Sequence, residues 1–134
     1  MTGARAALKR ENAAEMSGRA ETEPRPFTAT AIDGLRLSGE LSGPEQGTAV
    51  LFLHGGGQSR SAWRGAAARL AAAGYRACAM DLRGHGGCDW SDKLHYRFDD
   101  YVADLVTVID RIGRPAVLVG ASLGGHVALL TAAR

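Results

Sequence analysis

From Phe27 onward, apolar positions recur with periods that assign elements one after another. Residues 27–32 and 35–41 alternate loosely and flank Asp33-Gly34, a two-residue hairpin signal. Gly43-Pro44-Glu45-Gln46-Gly47 reads as a turn. Ala49-Val50-Leu51-Phe52-Leu53 is apolar throughout, the pattern of a strand buried on both faces, and His54-Gly55-Gly56-Gly57 ends it. Trp63, Ala66, Ala67, Leu70 and Ala71 fall at helical spacing, with Gly74 where a C-terminal cap belongs. Residues 75–82 form a second apolar strand, closed by Asp81-Leu82-Arg83-Gly84-His85-Gly86. Phe98, Tyr101, Val102, Leu105, Val108, Ile109 and Ile112 then mark one face of a helix. Asp99, Asp100, Asp104, Asp110 and Arg111 take the other, and Gly113 and Pro115 terminate it. Ala116-Val117-Leu118-Val119 is a third buried strand, followed by Gly120-Ala121-Ser122-Leu123-Gly124-Gly125 and a last helical stretch. A hairpin followed by strand–helix units predicts the α/β class, a mostly parallel sheet with flanking helices.

Composition narrows the function classes. The chain has 134 residues, 46% hydrophobic and 22% charged, which places it among folded domains and away from disordered chains. Sixteen basic against 14 acidic residues leave a net charge of +2, too weak a field to expect nucleic acid as a partner. No stretch approaches the roughly 18 apolar residues of a membrane span, so no membrane partner is expected. Two cysteines are too few for a disulfide scaffold and point to a reduced, cytoplasmic setting. Cys78 sits in an apolar run and reads as a small buried hydrophobe, whereas Cys88 follows Gly86-Gly87 and reads as a loop residue open to exposure.

Residues 1–26 stand apart, with charges among alanines and no aromatic residue. No apolar segment follows Arg10, against a signal peptide, and Glu11, Glu15, Glu21 and Glu23 argue against a transit peptide. The expectation is a mobile N-terminal extension over 1–26, with Met16 as an alternative start, and a folded domain over 27–134.

Chemistry collects where α/β strands end at their carboxyl side. Gly120-Ala121-Ser122-Leu123-Gly124 matches G-x-S-x-G with a strand before it and a helix after it, the context that gives the motif meaning. On so sharp a turn the serine backbone is strained and its hydroxyl projects above the sheet. Side chains at Gly120 and Gly124 would collide with neighbouring strand and helix. Leu123 opens the helix, so its N–H can face an oxyanion. A second amide is expected from the loop after the first parallel strand, where Gly56 suits a close backbone approach.

Three segments, LFLHGGGQSRSAW (51–63), AMDLRGHGGCDW (79–90) and VLVGASLGG (117–125), carry a resemblance. In order and spacing the chain resembles the N-terminal half of an α/β-hydrolase fold enzyme, truncated after the nucleophile elbow. The branch is the one with esterases, cofactor-free haloperoxidases, epoxide hydrolases and haloalkane dehalogenases. The resemblance implies Ser122 as nucleophile, Gly56 and Leu123 as oxyanion-hole amides, and His54, Gly55, Gly120 and Gly124 as structural members of the motifs. It implies a small-molecule acyl substrate, with no cofactor and no metal. Dehalogenases and epoxide hydrolases carry aspartate at the nucleophile position, so serine favours an ester-like substrate.

The family order is nucleophile, acid, histidine. Twelve residues follow Ser122 and none is an acid. The resemblance therefore places the catalytic acid and histidine beyond Arg134. It leads to the expectation of an incomplete hydrolase, inactive alone, whose strand before Ser122 is left as an edge. His126, four residues after Ser122, is read as a packing residue, His54 and His85 as structural, and His95 as solvated. Arg83 is expected to pair with a carboxylate in its own loop, and Asp81 and Asp89 to serve turns rather than a metal. Trp63 is expected to pack its helix on the sheet. Two rivals remain open: a catalytically inactive fragment or binding module, and a cofactor-free haloperoxidase or acyltransferase of the same fold.

Overall fold

The computed structural model describes residues 2–112 and 115–134; Met1 and the expected helix stop at Gly113 lie outside the described residues. Five strands form one sheet in the order β1-β2-β4-β3-β5. They are β1 (Arg25–Thr30), β2 (Arg36–Ser42), β3 (Ala49–Leu53), β4 (Arg76–Met80) and β5 (Ala116–Gly120). β1 and β2 make an antiparallel hairpin, and β2 is antiparallel to β4. β4, β3 and β5 are mutually parallel, with Leu51 level with both Cys78 and Leu118.

The period-two pattern of the strands divides the core between two faces. Ala49, Leu51, Leu53, Cys78 and Met80 pack towards α3 (Phe98–Ile112) and α4 (Leu123–Ala132), meeting Val102, Leu105, Val108 and Val127. Val50, Phe52, Ala77 and Ala79 face the other way, onto Ala67 of α2 (Arg64–Ala72) and Trp63 of the 3-10 turn Arg60–Trp63. Trp63 does pack its helical segment on the sheet, its ring 5.3 Å from that of Phe52. Gly74 follows α2 in a Schellman arrangement, with Tyr75 N–H donating to Leu70 O and Gly74 N–H to Ala71 O. Asp100 accepts the Arg97 N–H at 2.8 Å, the acidic half of a capping box that starts α3.

Four details depart from the sequence pattern. The hairpin loop has three residues, not two: Ala31 N–H donates to Leu35 O, Gly34 N–H to Ala31 O, and only Gly34 takes a positive φ (+88°). That is the turn-plus-bulge connection, in which one glycine suffices and Asp33 keeps ordinary geometry. Ahead of Pro24, where the pattern offers no element, Thr2–Thr22 forms helix α1. Its last turn is joined to the domain by Gly43 N–H donating to Glu21 O at 2.6 Å. On α3, Asp104 points inward and is buried while Phe98 is half exposed, the reverse of their expected faces. The apolar run of β5 is only partly covered, with Val117 52% exposed, because β5 is an edge strand of the sheet. No helix among the described residues is long and apolar enough to cross a membrane.

Candidate active site

The parallel strands deliver three loops to one end of the sheet: residues 54–59 after β3, 81–90 after β4, and 121–122 between β5 and α4. Ser122 stands on the third with φ 51° and ψ −117°, a region that non-glycine residues rarely adopt, and its side chain is exposed. The turn is held at both sides: Ala121 N–H donates to Leu53 O at 3.2 Å and Gly124 N–H to His54 O at 3.1 Å. A Cβ on Gly120 would lie 2.4 Å from Gly124 O, and one on Gly124 2.3 Å from Leu53 O. These two glycines let α4 start against the ends of β5 and β3, which is what puts Ser122 above the sheet.

Loop 54–57 runs beside Ser122, since a Cβ on Gly55 would lie 3.6 Å from Ser122 Cβ and one on Gly56 3.9 Å from Leu123 Cδ2. Gly55 N–H donates to Gln58 Oε1 (3.1 Å) and Gly57 N–H to His85 Nε2 (3.0 Å). The N–H groups of Gly56 and Leu123 have no partner among the described residues. Two unspent donors thus flank an exposed hydroxyl, an arrangement able to receive negative charge developing on a carbonyl oxygen.

His54 is fully buried. Its Nε2 accepts the Leu82 N–H at 3.0 Å, so the ring proton is on Nδ1, which donates to Gly55 O at 2.7 Å. The ring thereby ties the end of β3 to the end of β4, and burial holds its pKa below the ordinary 6.5. Asp81, also buried, accepts Arg60 N–H (2.7 Å) and Gly87 N–H (2.9 Å) and pairs with the Arg60 guanidinium. Asp89 accepts Arg36 N–H at 2.9 Å. Both aspartates therefore brace loops.

Arg83 does not pair within its own loop. Its guanidinium grips Asp104 of α3 through Nε (2.7 Å) and Nη2 (2.6 Å), Asp33 of the hairpin (3.0 Å) and the His95 carbonyl (2.7 Å). The Asp104 hydrogen bond, then that of Asp33, hold it protonated against the cost of burial. Cys88 is buried rather than exposed. Its thiol donates to Asp81 O at 3.1 Å, and desolvation pushes its pKa up to about 11. Cys78 is buried as expected, pushed up to about 12 for the same reason.

No described histidine bonds the Ser122 hydroxyl. His126 Nδ1 lies 3.0 Å from the Ser122 carbonyl oxygen instead, and His95 is part exposed beside Asp33 at 3.5 Å. Trp90 is 76% exposed. Among the described residues no group of three or more histidine, cysteine or acidic side chains could hold a metal. Sequence reasoning singled out neither Gln58 nor His85 as a partner of the glycine loop. Only the folded geometry brings His85, 28 residues away, onto Gly57.

Comparison with known proteins adds the family context. The alpha/beta hydrolase family matches residues 50–134. Epoxide hydrolase B of Mycobacterium tuberculosis is 37% identical over 99 residues, 71% of this chain and 28% of that protein. A non-heme chloroperoxidase of Streptomyces lividans is 35% identical over 73% of this chain and 36% of its own length. Among solved structures, an epoxide hydrolase from Vigna radiata superposes with a TM-score of 0.75 at 32% identity, covering 81% of this chain and 35% of that one. The chain thus spans about a third of the length of these relatives.

Proposed function

The chain belongs to the alpha/beta hydrolase family, and from that premise we propose that Ser122 is the nucleophile of a hydrolase acting on an ester-like acyl substrate. The observation that carries this reading is the exposed serine at φ 51°, with the free N–H groups of Leu123 and Gly56 beside it. Ser122 Oγ attacks the acyl carbon and forms an Oγ–C bond while the carbonyl electron pair moves onto oxygen. That oxyanion is received by the two amides, and its collapse expels the alcohol or other leaving group, to be followed by water. The serine proton requires a base, a role no described histidine is placed to fill. Serine at this position speaks against the chemistry named for the epoxide hydrolase relatives, because the epoxide hydrolases that the sequence resembles use aspartate there. The chloroperoxidase relative keeps a cofactor-free haloperoxidase, like an acyltransferase, within reach of the same two amides. Two free, buried thiols fit a reducing cytoplasmic setting.

A fluorophosphonate probe tests the reading, since it phosphonylates an activated serine through the same oxyanion geometry. On the full-length protein labelling is expected at Ser122 and is lost in Ser122→Ala; equal labelling of that variant overturns the proposal. A second reading, a non-catalytic binding module, is favoured by the Ser122 hydroxyl, which has no partner among the described residues. It predicts no labelling and no turnover across a panel of p-nitrophenyl esters.

A further inference from the structure

The glycine loop beside Ser122 is held from two sides. Gly55 N–H donates to Gln58 Oε1 at 3.1 Å, and Gln58 N–H returns to Gly55 O at 3.1 Å. Gly57, at φ +77°, donates its N–H to His85 Nε2 at 3.0 Å. That bond needs an unprotonated Nε2, and the Arg83 carbonyl 3.0 Å from Nδ1 supplies the reason: the ring proton sits on Nδ1 and donates there. The His85 ring also lies 5.0 Å from that of His54, whose Nε2 accepts the Leu82 N–H. Each histidine therefore reaches across between the loop after β3 and the loop after β4, one in each direction. Gly56 lies between the two tethered amides, and its N–H alone of the three stays unspent.

We propose that His85 is a positioning residue for the reaction at Ser122: its Nε2 fixes the Gly57 amide and thereby aims the Gly56 N–H at the developing oxyanion. The inference rests on the Ser122 reading above. Consecutive glycines have more backbone states than any other residues, so an untethered Gly56–Gly57 segment spends only part of its time with the N–H in line. A preorganised donor works because no rearrangement is needed when charge appears.

The test compares His85→Gln, whose Oε1 can replace Nε2 as acceptor, with His85→Phe, which fills the space without one. Two readouts are taken on the full-length protein: the amide resonances and exchange rates of Gly56 and Gly57, and the rate constant of fluorophosphonate labelling. His85→Phe is expected to shift and expose the Gly57 amide and slow labelling about tenfold, short of the roughly 10²–10³ lost with a whole donor. His85→Gln is expected to restore both readouts. Labelling of His85→Phe at the wild-type rate, or unchanged glycine amides in that variant, overturns the proposal. So does a wild-type ring spectrum showing Nε2 protonated, a measurement that stands even where His85→Phe fails to fold. If no variant is labelled, the hydrolase reading has failed, and the glycine amides alone decide whether His85 tethers the loop.

Discussion

Ser122 holds a backbone conformation that costs on the order of 1–3 kcal/mol and persists only where its surroundings over-determine it. Here the determinants are the Leu53 and His54 carbonyls, which take the amides of Ala121 and Gly124. His54 is the residue on which this end of the sheet turns, because its ring serves the loops after β3 and β4 and its carbonyl the first turn of α4. Its buried imidazole is neutral by necessity, since Nε2 must accept. With the folded pKa below the ordinary 6.5, the unfolded chain takes up the proton first as the pH falls. Stability from this group is therefore full above about pH 6.5 and is lost below it, towards the lower folded value. Thermal unfolding between pH 7.5 and 5 should show a falling midpoint, and His54→Gln should lower the midpoint at pH 7.5 while flattening that dependence. A wild-type midpoint that stays level across this range would remove the argument.

At the scale of elements, the Arg83 clamp joins the hairpin turn, the loop after β4 and helix α3. Its arms differ in worth because their burial differs. Arg83 and Asp104 side chains are 2% and 11% exposed, whereas Asp33 is 27% exposed. Asp104→Ala leaves the buried Arg83 only the part-exposed Asp33 arm and the His95 carbonyl, so it should cost about 3 kcal/mol. Asp33→Ala loses a partly screened arm and should cost at most about 1 kcal/mol. Urea unfolding of both variants checks the order; equal losses would mean that the clamp acts as one unit. Periodicity assigned Asp104 to the solvent face because a helical wheel knows only its own turn. The partner that draws it inward is 21 residues away.

At the largest scale, β5 is an apolar edge among the described strands. Beside it lies a groove of about 540 Å³ lined by Ile109, Ala116, Leu118, Ala128 and Leu129. An unpaired edge without charge is a template for further strand pairing. Val117, half exposed on that edge, is the place to test it. Val117→Lys should raise the concentration at which the chain first scatters light, with little change in the unfolding midpoint. Unaltered scattering would show that association proceeds elsewhere.

The sequence by itself determined the strands, the helices α2 to α4 and the elbow at Ser122, because each is written in neighbouring residues. Apolar runs demand burial, helical spacing demands a partner face, and glycines at 120 and 124 mark backbones in contact. It also named Gly56 and Leu123, whose N–H groups have no partner among the described residues. The tertiary structure alone decided which side chains lock those loops together. Arg83 reaches Asp33 across 50 residues, His85 reaches Gly57 across 28, and Asp81 takes the Arg60 amide 21 residues back. A hydrogen bond needs two atoms within about 3 Å in a set direction, and no local period encodes that meeting. It exists only after the sheet has set the spacing of its strands.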